Sequence, residues 1–169
     1  MTLNRRARQI LSVFAQILLF LAIMWGYSEW KARDLLPKGT PAPDFSLADL
    51  DDRTHVLSEQ KGSKVLLYFF SPACRACKFT SENISSLVGN GRPGLKVYAV
   101  ALSWRDTTEL KKYAADNELG LTMLPAAPGI GEKYKISAYP TIYIVDEEGN
   151  IEERILGYTT QMGLRLRLL

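Results

Sequence analysis

Cysteine is nearly absent: the 169 residues contain two, Cys74 and Cys77, and both stand in a single C-x-x-C. That excludes a framework of structural disulfides and a four-thiolate zinc site. Histidine is scarcer still, with His55 alone, so the usual partner for a mixed cysteine–histidine site is missing and no metal is expected. Internal repeats and low-complexity runs are lacking too. The net charge of +3 suggests an acidic partner, but it comes from one end. Residues 1–33 carry Arg5, Arg6, Arg8, Lys31 and Arg33 against Glu29, and from residue 34 onward sixteen basic side chains meet seventeen acidic ones, a net of −1. No basic face remains for a nucleic acid, and none is expected as a partner.

What is present begins with a stretch that has no charge. Ile10 to Tyr27 is 18 residues of almost wholly apolar sequence, at the short end of what a helix needs to cross a bilayer. Arg5, Arg6 and Arg8 precede it, and positive charge marks the cytoplasmic flank, so residues 1–9 are expected in the cytoplasm and the remainder outside it. Trp25, Tyr27 and Trp30 cluster where an interfacial aromatic belt would sit. The sequence that follows, M-W-G-Y-S-E-W, has no small-x-small cleavage site, which favours a retained anchor over a removed signal peptide. Residues 28–43, ending in the stiff T-P-A-P, read as a linker, and residues 44–169 as one globular domain of ordinary size.

Within that domain strand and helix signals alternate. D-F-S-L-A-D-L and T-H-V-L-S flank the acidic turn Asp49 to Asp52 and predict a short hairpin. Lys64 to Ser71 is a continuous apolar run, as in a central strand buried on both faces and flanked by helices; Tyr68, Phe69 and Phe70 in it read as core. A helix is expected from Cys74 to Val88, ended by the turn Gly89 to Gly94. Leu95 to Ser103 reads as a second buried strand, and Thr107 to Glu118 as a helix with a threonine near its start. A short strand at Leu121 to Leu124 and a helical turn at Gly131 to Lys135 follow, then a hairpin of Thr141 to Val145 with Ile151 to Gly157. The tail is ambiguous, because Leu164, Leu166 and Leu168 alternate like a strand at a position that suits a closing helix. The order describes an α/β fold with a mixed sheet of thioredoxin-like architecture.

The C-x-x-C lies where chemistry is favoured, between the end of a buried strand and the start of a helix. Unpaired N–H groups and the partial positive charge of a helix N-terminus stabilise a thiolate at Cys74. Cys77 lies nearly one turn on, close enough to close a ring. Cys74 is thus the expected attacking sulfur and Cys77 the resolving one, with Arg75 and Lys78 adding positive charge that modulates the thiolate. A second signal is Tyr139-Pro140-Thr141 just before a strand: a cis Pro140 would bring a backbone edge against Cys74 and leave residue 139 free to bond an extended substrate.

Taken together, P-A-P-D-F-S-L, V-L-L-Y-F-F-S-P-A-C-R-A-C, Y-P-T-I-Y-I-V-D-E-E-G and the tail G-Y-T-T-Q-M-G-L-R-L-R-L-L resemble the membrane-anchored extracytoplasmic thioredoxins of the TlpA/ResA type. The sequence is especially similar to the ScsD-like (suppressor of copper sensitivity D) disulfide oxidoreductases. The resemblance implies a thioredoxin fold with an N-terminal hairpin extension and a central strand–helix insertion around Leu95 to Leu124. It implies Cys74 and Cys77 as the redox pair, Pro140 as a cis-proline, and Ala73, Tyr139 and Pro140 as positions that face the substrate. There are departures: Ala73 replaces the family's tryptophan, Arg75-Ala76 replaces a proline-containing pair, and Tyr68 stands where thioredoxin has its buried acid. No glutamate of the cytochrome-maturation members is evident near Trp104 to Asp106.

Two other readings meet obstacles. A peroxiredoxin is suggested by P-A-P-D-F, but its P-x-x-x-T/S-x-x-C frame fails because Leu67 occupies the proline position. Copper carriage by two soft thiolates lacks the C-x-x-x-C and nearby histidine expected for it, and His55 reads as a surface turn residue. The expectation is an extracytoplasmic protein-disulfide oxidoreductase, more a reductase linked to copper or oxidative-stress tolerance or to thiol maintenance, with Cu(I) binding or delivery as the alternative. Its expected setting is the inner membrane, single-pass, with the catalytic domain in the periplasm. Its expected partners are protein thiols and disulfides and a transmembrane thiol carrier as electron donor, and it needs no cofactor beyond its own disulfide.

Overall fold

The structure, a computed structural model, describes residues 5–89, 94–117 and 119–168. In the first helix the side chains of Arg5, Arg6, Ala7, Arg8, Ile10, Trp25, Ser28, Glu29 and Lys31 lie outside the described residues, as do Asn90 to Pro93 of the expected turn and Glu118. The chain divides into two compact units, Met1–Arg33 and Asp34–Leu169.

The first unit is the helix α1, Arg5–Lys31. It exposes Leu11, Val13, Phe14, Ile17, Leu18, Leu19, Phe20, Leu21, Ile23 and Met24. Among the described residues no helix is long and apolar enough to cross a membrane, so the span expected over Ile10 to Tyr27 is not supplied by the structure, and Ile10 and Trp25 of that run lie outside the described side chains.

The second unit is built on a five-stranded sheet in the order β5-β4-β3-β6-β7. Its strands are β3 (Lys64–Phe70), β4 (Leu95–Ala101), β5 (Thr122–Pro125), β6 (Thr141–Val145) and β7 (Ile151–Leu156). β3 pairs parallel with β4 and β4 with β5, while β6 runs antiparallel to both β3 and β7. β3 sits third of five, and after the half-buried Lys64 every one of its side chains is buried. A run of alternately outward polar residues would be intolerable there.

The helices α2 (Arg75–Gly89), α3 (Thr107–Asp116) and α5 (Gln161–Arg167) contribute Cys77, Ile84, Leu87, Leu110, Tyr113, Leu164 and Leu168 to one core, with Leu66, Tyr68, Phe70, Ala99, Ala101, Ile142 and Ile144 from the sheet. The buried positions of α2, at Cys77, Thr80, Ser81, Ile84 and Leu87, follow the helical period. The same period settles the tail. Leu164 and Leu168 are buried four residues apart while Leu166 is 64% exposed, and Thr160 caps the helix by accepting from the N–H of Gly163 at 3.1 Å. At α3 the cap is Asp106, whose Oδ1 accepts from the N–H of Glu109 at 2.8 Å, not the threonine that follows it.

The opposite face of the sheet is covered differently from the helical flank expected for it. The hairpin of β1 (Ser46–Ala48) and β2 (Thr54–Val56), with the one-turn helix α4 (Ile130–Lys133), brings Phe45 against Tyr98 and Tyr134, and Phe69 against Tyr134 and Tyr143. Residues 34–43 are also not the free linker expected at 28–43. Gly39 N–H donates to the carbonyl of Ile151, Ile151 N–H to Thr40 and Ala42 N–H to Gly149, and Leu35 is buried. The physical reason is that Tyr143, Tyr134 and Arg154 offer partners to this segment. Leu36 N–H donates to the Tyr143 hydroxyl, Tyr134 donates to the carbonyl of Pro43, and Arg154 reaches the carbonyls of Leu35 and Leu36.

Candidate active site

The sequence places the cysteines at the exit of the most buried strand. After Phe70 the chain turns through Ser71, Pro72 and Ala73, with the Cys74 N–H donating to the carbonyl of Ser71 at 3.0 Å. It then enters α2, and Cys74 and Cys77 form a disulfide with their Cα atoms 5.2 Å apart. The N–H of Cys77 donates to the sulfur of Cys74 at 3.2 Å. Cys77 is fully buried and Cys74 half-buried. The less buried cysteine is therefore the one whose sulfur receives a hydrogen bond from the helix's first turn, the arrangement that stabilises a thiolate.

Three loops meet at this end of the sheet. Thr141 stands opposite Phe69 in the β3–β6 register, so Tyr139-Pro140 lies beside the strand end that leads to Cys74. The Tyr139–Pro140 peptide is cis, and Pro140 is buried. Ser103, in the loop after β4, joins the other two loops: its carbonyl accepts from the Ser71 hydroxyl at 3.2 Å, and its hydroxyl lies 3.0 Å from that of Tyr139. Sequence reasoning did not single out Ser103, since nothing marks a serine in a loop as a joint between distant segments. Ala73, Arg75 and Lys78 are exposed on the cysteine loop and first turn. On the Tyr139 side, Leu102, Trp104, Gly131, Ile136 and Tyr139 line an open groove of about 740 Å³.

Below the cysteines, Tyr68 is fully buried as expected of core, but its hydroxyl is not idle. It donates to the carbonyl of Cys77 at 2.8 Å, and Ser81 and Tyr113 complete a cluster of buried hydroxyls. Burial pushes the phenol of Tyr68 well above the usual tyrosine range and raises that of Tyr113, so both remain neutral hydroxyls. His55 is half-buried, not the surface residue expected. Its Nε2 lies 2.8 Å from Asp49 Oδ2 and its ring packs on Tyr98, on the face of the sheet away from α2. The hydrogen bond from His55 holds the Asp49 carboxyl down at about 2. Among the described residues no group of three or more His, Cys, Asp and Glu side chains is placed to hold a metal ion.

A β3–α2–β4 unit with parallel strands, carrying a C-x-x-C disulfide at the helix start and a cis-proline at the head of the adjacent antiparallel strand, defines a thioredoxin-fold thiol–disulfide oxidoreductase. By sequence the chain belongs to the AhpC/TSA family, which it matches over residues 38–154. It is 31% identical over 159 residues to the thioredoxin-like protein YneN of Bacillus subtilis, covering 89% of this chain and 94% of that one. It is 25% identical over 171 residues to the thiol-disulfide oxidoreductase ResA of Geobacillus thermodenitrificans, covering 96% and 97%. The fold is that of the thioredoxin domain of a thiol-disulfide oxidoreductase from Bacteroides vulgatus, with a TM-score of 0.70 and 22% identity over 79% of this chain and 98% of that domain.

Proposed function

We propose that the chain is an extracytoplasmic reductase of protein disulfides, working through Cys74 as attacking and Cys77 as resolving sulfur. The observation that carries this reading is the asymmetry of the pair, Cys74 only half-buried with its sulfur hydrogen-bonded by the helix start, Cys77 fully buried. The Cys74 thiolate attacks a client disulfide, giving a mixed disulfide and expelling one client thiolate. Cys77, as thiolate, then attacks the Cys74 sulfur, closing the ring and releasing the second client thiolate. Two electrons pass to the client, and a thiol donor returns them. Ala73, Tyr139 and Pro140 form the surface against which an extended client segment lies, and the groove beside Tyr139 takes its apolar side chains. Arg75 and Lys78 modulate the Cys74 thiolate. No group beyond the disulfide is needed to carry the electrons.

The setting belongs to the same proposal. α1 anchors the chain in the inner membrane with residues 1–9 in the cytoplasm and residues 44–169 in the periplasm. Support comes from the uncharged run of Ile10 to Tyr27, the arginines before it, and a helix that leaves Leu11, Phe14, Leu18 and Leu21 exposed. A reductase in an oxidising compartment must be fed with electrons across the membrane, so the donor is a transmembrane thiol carrier. The likeness to ScsD-like sequences supports a role in copper or oxidative-stress tolerance. Membrane fractionation with alkaline extraction tests the anchor; release of the chain into the soluble fraction would sink it.

Equilibration of the full chain with glutathione, followed by thiol trapping, tests the direction. A potential near that of thioredoxin, about −270 mV, supports the reductase, and one near −120 mV replaces it by a dithiol oxidase. A chain that forms no Cys74–Cys77 disulfide at any poise and instead retains Cu(I) replaces both by copper delivery.

A further inference from the structure

The carbonyl oxygen of Cys77 is bonded by more than a helix requires. A carbonyl within a helix ordinarily accepts from one N–H four residues on. This oxygen accepts from the Tyr68 hydroxyl at 2.8 Å and lies 2.9 Å from the hydroxyl of Ser81. Ser81 in turn lies 3.1 Å from the Tyr68 hydroxyl and 3.2 Å from that of Tyr113. One consistent direction runs from Tyr113 to Ser81 to the carbonyl, with Tyr68 donating to it separately. Tyr68 and Ser81 are fully buried and Tyr113 nearly so. Two elements thus converge on one atom, β3 through Tyr68 and α2 through Ser81, and α3 backs Ser81 through Tyr113. That atom belongs to the residue whose sulfur closes the disulfide.

Resting on the redox reading of the pair, the geometry points to Tyr68 as a positioning residue for Cys77: with Ser81 and Tyr113 behind it, its hydroxyl pins the Cys77 carbonyl and so holds the first turn of α2 where the Cys77 sulfur meets Cys74. The chemistry affected is ring closure. Two glutathione thiols reduce the disulfide to two protein thiols and leave one glutathione disulfide; the reverse reaction closes the ring. A turn already held in the ring geometry has less freedom to lose on closure, so pinning favours the disulfide. A buried hydroxyl also enforces this without adding a charge beneath the cysteines.

The test compares two tyrosines that lose the same atom. Tyr68→Phe retains the ring stacked on Phe70, whose centroid is 5.3 Å away, and removes only the donor. In the full chain its disulfide should be reduced by glutathione with an equilibrium constant about fivefold more favourable, a potential about 20 mV less negative. Ser81→Ala should shift it in the same direction, and Tyr113→Phe, which reaches the carbonyl only through Ser81, by less. Tyr134→Phe loses an equally buried hydroxyl on the other face of the sheet and should leave the potential unchanged. Should Tyr68→Phe fail to fold, Ser81→Ala carries the test. A wild-type potential in Tyr68→Phe and Ser81→Ala, or an equal shift in Tyr134→Phe, overturns the positioning role while leaving the redox reading intact. A wild-type chain that forms no disulfide overturns both.

Discussion

The two faces of the sheet are both rich in tyrosine and use its hydroxyl in opposite ways. Beneath α2, the Tyr68 hydroxyl donates to the carbonyl of Cys77, and the Tyr113 hydroxyl reaches that carbonyl through Ser81. Across the sheet, Tyr134 donates to the carbonyl of Pro43, and Tyr143 accepts from the N–H of Leu36 and donates to the carbonyl of Tyr134, fastening residues 34–43. The rings do equivalent work on both faces, since they fill volume and exclude water. The polar tip differs: on one face it acts on the residue that does chemistry, on the other on a chain segment that does none. A buried tyrosine therefore carries two separable contributions, and a Tyr→Phe change reads the second alone.

This contrast can be broken most severely at the cysteines. Cys74→Ser should reduce the rate of client-disulfide reduction to the uncatalysed background, while Cys77→Ser should accumulate a mixed disulfide that non-reducing electrophoresis detects; stability in either variant should change far less than activity. A large change confined to the helical face comes next. Ile84→Ala, at a fully buried site of α2, should cost about 2–5 kcal/mol in denaturant unfolding and should loosen the cysteine turn with it. Tyr134→Phe should cost about 1 kcal/mol and raise amide exchange in residues 35–43, with reductase activity retained. Asp106→Ala, which removes the α3 cap, should likewise cost about 1 kcal/mol.

The smallest effect concerns pH. Asp49 has its folded-state value held at about 2, below the unfolded value of 3.8, chiefly by the hydrogen bond to His55. Such a group contributes stability above its unfolded value and loses it as pH falls through the folded one. The pair is partly exposed, so screening keeps the contribution small. Asp49→Asn should lower the thermal midpoint slightly at pH 6 and leave it unchanged near pH 2; an equal loss at both would show that packing, not charge, holds the hairpin.

How far the sequence carried the structure depended on whether a signal was local. The central strand, the α2 start, both hairpins and the cysteine pair were legible, because continuous apolar runs, Gly-rich turns and a C-x-x-C each act over a few residues. The tail was undecided because Leu164, Leu166 and Leu168 satisfy both periods, and only the buried contacts of the first and last choose between them. Residues 34–43 read as linker because their partners, Tyr143 and Arg154, lie more than a hundred positions away. Tyr68 was legible as core and illegible as a donor to Cys77 for the same reason: a hydroxyl's partner is set by register and helix packing, not by its neighbours in sequence.

The fastening of residues 39–42 along β7 also bears on how copies of this protein meet. β7 is an outer strand, and an outer strand with free N–H and C=O groups invites another chain to add to the sheet. Here both backbone groups of Ile151 are taken by Gly39 and Thr40, and the rest of the strand begins with the charged run Glu152, Glu153 and Arg154. The other rim, β5, has four residues and ends in Pro125, which has no N–H to offer. Each rim thus carries a feature that works against edge-to-edge growth: a covered first residue and charges on β7, and shortness with a terminal proline on β5.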